Sequence, residues 1–320
     1  MRILLAAILG LTACSSFKSD LEEPMTDAAT PAPSSQIIQI EAFSSDFVAS
    51  RGLSIYLPPS YDDSAQNYPV IYAMDGQNLF EPGLSYIGEE WGLDEAMDRL
   101  IASGSIHPAI IVGVWNTPLR APEYGPQGVI EILAEPRRNT IHENWQSELL
   151  GDAYLSFLSE ELKPYIDTRY RTRPGPEDTM IMGSSMGGLI SFYALAERPD
   201  IFGTAAGLST HWPVFADDSF SDPDRANDWR AALLPAWQNY IVQSDLDPDQ
   251  QRIWLDHGTI NLDSLYPPYQ IAIDAMMDEK GFTPGARFQS REYAGADHNE
   301  IAWRERLDDP LMFLLGVHND

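Results

Sequence analysis

A serine framed by glycines, Gly183-Ser184-Ser185-Met186-Gly187, stands where a short apolar run gives way to a helical pattern, an arrangement that fits nucleophilic chemistry at Ser185. A strand that turns sharply into a helix strains the backbone of the apex residue and leaves its side chain projecting. Glycine two positions to either side keeps Cβ atoms off the neighbouring strand and helix. Residues 179–182 are apolar and strand-compatible, while Leu189, Ile190, Phe192, Tyr193, Leu195 and Ala196 recur at helical spacing up to Pro199. The plainer alternative is a Gly/Ser-rich turn that only packs a helix onto a sheet. Ser184 fits the frame less well, because its window opens at Met182 rather than at a glycine.

A serine hydroxyl at its normal pKa is a poor nucleophile, so a histidine must take its proton and an acid should orient that histidine. After a nucleophile on such a strand-to-helix turn the partners follow in the order acid, then histidine. His107 and His142 precede Ser185, and His211 and His257 fall before the last strand-like run. His318 belongs to a terminus expected to fray. His298 follows the alternating run 286–293 in a short polar loop, ahead of an apolar helix expected over 301–315, and is the candidate base. Two carboxylates around the preceding strand end compete as the acid. Asp263 is favoured over Asp256 because it falls in the loop after the strand, whereas Asp256 is still inside it. Asp263 has an alternative reading as the cap of a helix starting near Tyr266.

Acyl transfer also needs N–H donors aimed at the developing oxyanion. The Met186 amide, directly after the nucleophile, supplies one. The second should come from the loop after the third strand, where residues 69–74 run into Asp75-Gly76-Gln77-Asn78; Gly76 permits the turn and Gln77 offers the amide. Taken alone, Asp75-Gly76 is only a turn signal.

Together, residues 72–80, Gly183-Ser184-Ser185-Met186-Gly187-Gly188, Asp256-His257-Gly258-Thr259 and residues 298–303 resemble the putative-esterase family of α/β-hydrolases. That family holds enterochelin-type siderophore esterases, feruloyl and acetylxylan esterases, S-formylglutathione hydrolases and mycolyltransferases. The resemblance covers most of residues 40–317 and extends to 116–124 and 154–170. It implies an α/β-hydrolase fold, with Ser185 as nucleophile, His298 as base and the Gln77 and Met186 amides as oxyanion hole. The acid departs from the pattern: many relatives carry Glu two residues after the Gly-Thr pair, where this chain has Asn261. Arg120, with Glu123 and Tyr124, resembles a loop at the mouth of the site, where it would grip a substrate carboxylate or brace the loop by an ion pair. The reaction implied is hydrolysis of a carboxylic ester through an acyl-enzyme, without a cofactor. Siderophore lactones, feruloyl or acetyl esters of polysaccharides, and small acyl esters are the candidate substrates. An acyltransferase on the same residues is one alternative, and a non-catalytic envelope binding protein of the same fold is another.

Eight strand-like runs (36–40, 53–57, 69–74, 109–115, 179–182, 204–208, 253–256 and 287–293) alternate with helical patterns, predicting one α/β domain over 37–320. Its sheet is expected to be mainly parallel, of about eight strands, with helices on both faces. Residues 1–13 pair one basic residue with an apolar core too short to span a bilayer, which needs about 20 residues, and so read as a signal peptide. The ending Leu11-Thr12-Ala13-Cys14 resembles a bacterial lipobox, with Cys14 the only cysteine of 320 residues. Cys14 would then be lipidated, residues 14–36 would be a disordered tether, and Ser15 would direct a Gram-negative lipoprotein to the periplasmic face of the outer membrane. Ordinary signal-peptidase cleavage is the alternative. The 48 acidic against 20 basic residues, a net charge of −28, argue against nucleic acid as partner and fit either a saline habitat or plain solubility.

Two further clusters carry less. Residues 245–249 alternate carboxylates like the start of a calcium loop, but Gln250 stands at the glycine position and Asp256 at the glutamate position, so no metal is expected. Trp212, Trp91 and Trp115 sit near expected strand ends, and Trp212 is the candidate to line a substrate cleft, against the alternative of core packing.

Overall fold

Strands that are apolar on both faces must be covered on both, and the central strands here read that way. Val70–Met74 (β3), Ile110–Val114 (β4), Thr179–Ser184 (β5) and Thr204–Leu208 (β6) are buried at every residue. The computed structural model describes residues 34–214 and 222–317. Cys14 and the signal segment, most of the expected tether, and His318 lie outside the described residues. The other strands are Gln36–Phe43 (β1), Arg51–Leu57 (β2), Arg252–His257 (β7) and Phe288–Glu292 (β8). They form one eight-stranded sheet in the order β1-β2-β4-β3-β5-β6-β7-β8. The pairs β1–β2 and β2–β4 are antiparallel, and every pair from β4 to β8 is parallel.

The period-two alternation of a strand sorts the core into two layers. Val70, Tyr72 and Met74 of β3 join one cluster and Ile71 and Ala73 the other, while Ile181 of β5 is separated from Met180 and Met182 in the same way. The helices Met186–Glu197, Pro223–Gln243 and Pro267–Lys280 cover the first face, and Leu93–Ala102 and Asp308–Leu315 the second.

All eight expected strands are present. The single helix expected over 301–315 is instead two, Glu300–Arg304 and Asp308–Leu315. Pro310 is the physical reason: it has no N–H to give the Arg306 carbonyl and its ring would press on it, so a continuous helix is excluded and a new one starts just ahead of it. Because six parallel strands, β3 to β8, point the same way, the loops leaving their C-terminal ends gather along one edge, the usual place for a ligand site in such sheets.

Candidate active site

β5 delivers Ser185 at φ 55°, ψ −125°, a conformation costing about 1–3 kcal/mol and kept only when the surroundings over-determine it. They do: the Ser185 N–H donates to Leu208 O at 2.9 Å, while its carbonyl accepts from Leu189 N and His211 N, each at 3.1 Å. A Cβ on Gly183 would come within 2.6 Å of the Gly187 backbone, so the turn closes only with glycine there. The helix Met186–Glu197 starts at the next residue, with the Met186 N–H at its positive end.

The remaining groups come from other strand ends. Asp263 leaves β7 on the single turn Asn261–Leu265, and His298 follows β8. Asp263 Oδ1 accepts from His298 Nδ1 at 2.5 Å, and its Oδ2 takes the Ser209 hydroxyl and the Gly258 N–H, both at 2.6 Å. Burial alone would push this carboxyl up, but the hydrogen bonds from His298, Ser209 and Gly258 outweigh it and hold the group below the ordinary carboxylate range. Asp263 does not cap the helix Pro267–Lys280, which begins with proline. The rings of Trp303 and Tyr266 stand edge-on to His298 at 5.1 and 5.6 Å.

Asp256, the alternative acid, ends buried within β7 and pairs with Arg306 at 2.9 Å, and it also takes the Ser209 N–H at 3.1 Å and Trp254 Nε1 at 2.9 Å. It is committed to Arg306 and makes no contact of this kind with His298. Even so, burial keeps its carboxyl above the ordinary value, since Arg306 and the other donors offset the desolvation only in part.

Gln77 sits in the turn Gly76–Asn78, where Asp75 adopts a left-handed φ of 58°. The Asp75 carboxylate fastens this turn. Its Oδ1 accepts from Asn116 Nδ2 (2.6 Å) and Arg120 Nε (2.8 Å), and its Oδ2 from Arg120 Nη2 (2.8 Å). Of the two roles expected for Arg120, bracing is thus the one engaged. Glu123 faces elsewhere, in a fully buried pair with Arg51 at 2.7 Å. Ser185, His298, Gln77 and Arg120 line one cavity of about 430 Å³, with Tyr86, Ile87, Glu300 and Trp303 along its walls.

Trp212 does not line it. The ring is fully buried against Phe192 and Trp237, with Nε1 bonded to Gln270 Oε1 at 2.7 Å. The expected cleft role is corrected to core packing, because a side chain with no exposed surface has none to offer a substrate. The tryptophan that does face the cavity is Trp303. Among the described residues no group of three or more His, Cys, Asp or Glu side chains is placed to hold a metal.

Asp75, Ser209, His211, Tyr266 and Arg306 were not singled out from sequence. The usable signal was position: Ser209 and His211 directly follow β6, as Asp75 follows β3. His211 Nδ1 lies 2.7 Å from the Tyr266 hydroxyl. Burial first, then the charges of His298 and Arg120, lower the His211 imidazole to about 3 and keep it neutral. The unfolded chain, with a histidine near 6.5, therefore takes up this proton before the folded one does. The associated stability is complete above about pH 6.5 and is lost as pH falls toward 3, at about 1.4 kcal/mol per pH unit. His211→Gln should flatten the fall of Tm between pH 7 and 5, measured by thermal unfolding of both proteins at each pH. Equal slopes would contradict the assignment.

A mainly parallel sheet with a strained serine after its fifth strand, and a hydrogen-bonded aspartate and histidine after its seventh and eighth, defines an α/β-hydrolase. The chain belongs to the family described as Putative esterase, whose model matches residues 44–314. It is 24% identical over 164 residues to the uncharacterized protein YbbA of Bacillus subtilis (strain 168), covering 51% of this chain and 58% of that protein. To the ferri-bacillibactin esterase BesA of the same organism it is 26% identical over 159 residues, covering 48% of this chain and 52% of BesA. The chain thus spans little more than half the length of these two relatives. Among solved structures, a ferulic acid esterase superposes with a TM-score of 0.62 at 22% identity, over 89% of this chain and 98% of that one.

Proposed function

We propose that the protein hydrolyses uncharged carboxylic esters through an acyl-enzyme formed on Ser185. The observation that carries this is the constellation itself: a serine at a strained strand-to-helix apex lines the same cavity as a histidine whose Nδ1 is held by a buried aspartate. Because Nδ1 of His298 is occupied by Asp263, Nε2 is the nitrogen left to take the proton. Ser185 Oγ attacks the acyl carbon while its proton passes to Nε2 of His298. The carbonyl electrons collect on the oxyanion, facing the Met186 and Gln77 amides. Collapse expels the alcohol, which takes the proton back from His298, and water then repeats the sequence to release the acid.

The preference for uncharged esters follows from the cavity walls. The Nε–Nη2 edge of Arg120 is taken by Asp75, and Glu300 adds a second carboxyl, which burial, with Asp75 assisting, raises above the ordinary range. Asp75 is neutralised by Arg120, so the like charge an anionic substrate would meet there is that of Glu300 when ionised, on a chain of net charge −28. One like charge about 6 Å away at an effective dielectric of about 20 costs about 2.8 kcal/mol. The rim is apolar, with Tyr86 and Ile87 exposed. Feruloyl or acetyl esters of neutral polysaccharides and small acyl esters fit such a site better than anionic siderophore complexes, although the relative BesA is described as a ferri-bacillibactin esterase.

The test is turnover of matched neutral and carboxylate-bearing aryl esters, alongside labelling with a fluorophosphonate. The expected result is labelling and a roughly 10- to 100-fold preference for the neutral member in kcat/KM. Absence of both labelling and turnover would sink the hydrolase reading, and equal rates would sink the charge argument. We further propose that the protein is held to the cell envelope by lipid on Cys14, on the periplasmic face of the outer membrane. Mass spectrometry of the mature N-terminus should find acylated Cys14; an unmodified start elsewhere would overturn it.

A further inference from the structure

The hydroxyl of Ser209 makes three hydrogen bonds behind the site. Ser209 ends the β6 turn, is fully buried, and holds a left-handed φ of 45°, which a non-glycine residue adopts only under constraint. Trp303 Nε1 lies 3.0 Å from its Oγ and Arg306 Nη2 lies 2.7 Å away. Indole and guanidinium are donors only. Both lone pairs of Oγ are therefore filled, and its one proton has a single destination, Asp263 Oδ2 at 2.6 Å. Arg306 is itself locked by Asp256, which also anchors the Ser209 N–H. A continuous buried chain runs Asp256–Arg306–Ser209–Asp263–His298.

We infer that Ser209, oriented by Arg306 and Trp303, is a positioning residue that fixes Asp263 and through it the tautomer and direction of His298. The inference deepens the esterase reading and rests on it for its kinetic consequence. Without the hydroxyl, Asp263 keeps His298 on Oδ1 but only the Gly258 N–H on Oδ2, so the carboxylate is held less firmly against His298. Ser209 itself does not line the cavity, and its link to the wall is the hydrogen bond from Trp303 Nε1. Misplacement of Asp263 and His298 belongs in kcat, whereas a shift of Trp303 on the wall would show in KM.

The experiment uses the whole protein and two variants, Ser209→Ala and Ser209→Gly. Glycine accepts the left-handed backbone without strain, so it removes the hydroxyl with the least risk to folding. Turnover of a neutral aryl ester should fall roughly 10- to 100-fold in kcat with KM within about 3-fold of wild type. Independently of turnover, the proton NMR resonance of the His298 Nδ1–H, assigned by its absence in His298→Ala, should shift or be lost to exchange in both variants. A folded Ser209→Gly protein with wild-type kcat and an unmoved resonance would overturn the inference. If wild type shows the resonance but no turnover, the esterase reading fails, and the resonance in the variants alone decides for or against the positioning role.

Discussion

Ser185→Ala, His298→Ala and the double variant should lose turnover to nearly the same extent, on the order of 10⁴- to 10⁶-fold in kcat. The two residues act as one unit: a hydroxyl without its base is a weak nucleophile, and a base without its hydroxyl has nothing to deprotonate. What survives should be the contribution of the oxyanion amides and of substrate binding, about 10³- to 10⁴-fold over water. Steady-state kinetics on a neutral aryl ester, with far-UV dichroism to verify folding, would measure it. Fluorophosphonate labelling should vanish in Ser185→Ala. Losses that multiplied in the double variant would mean independent roles, and labelling that survived Ser185→Ala would place the nucleophile elsewhere.

The second large effect separates the two aspartates. Asp263→Asn should lower kcat about 10⁴-fold. The reason lies in the donors already present. Oδ2 accepts from both the Ser209 hydroxyl and the Gly258 N–H, so an asparagine must place its carbonyl oxygen there and its amide nitrogen toward His298. Nδ1 must then accept, the ring proton moves to Nε2, and Nε2 can no longer take a proton. Asp256→Asn should act mainly on folding. It leaves the buried Arg306 guanidinium without its charged partner, a loss of about 3–5 kcal/mol. Its effect on kcat should not exceed that of the Ser209 variants. Denaturant midpoints and kcat for both proteins would decide, and a 10⁴-fold loss in Asp256→Asn with Asp263→Asn active would reverse the assignment.

Local chemistry was open to the sequence alone. Gly183 and Gly187 around Ser185, the apolar runs of eight strands and the helical spacing after Met186 each act within a few residues, where backbone sterics and periodicity operate. They placed the turn that carries Ser185, the mainly parallel sheet and the loops bearing Gln77 and His298. The order of residues also favoured Asp263, but only as one of two carboxylates. Tertiary structure shows which of them pairs with His298, because burial and donor sets depend on residues far apart in the chain: Arg306 lies 50 positions from Asp256, and His298 35 from Asp263. The same dependence moved Trp212 into the core, committed Arg120 to Asp75, and brought Ser209 between Arg306 and Asp263. A side chain's partners are set by which strand ends meet at one edge of the sheet, a property of strand order that no local pattern encodes.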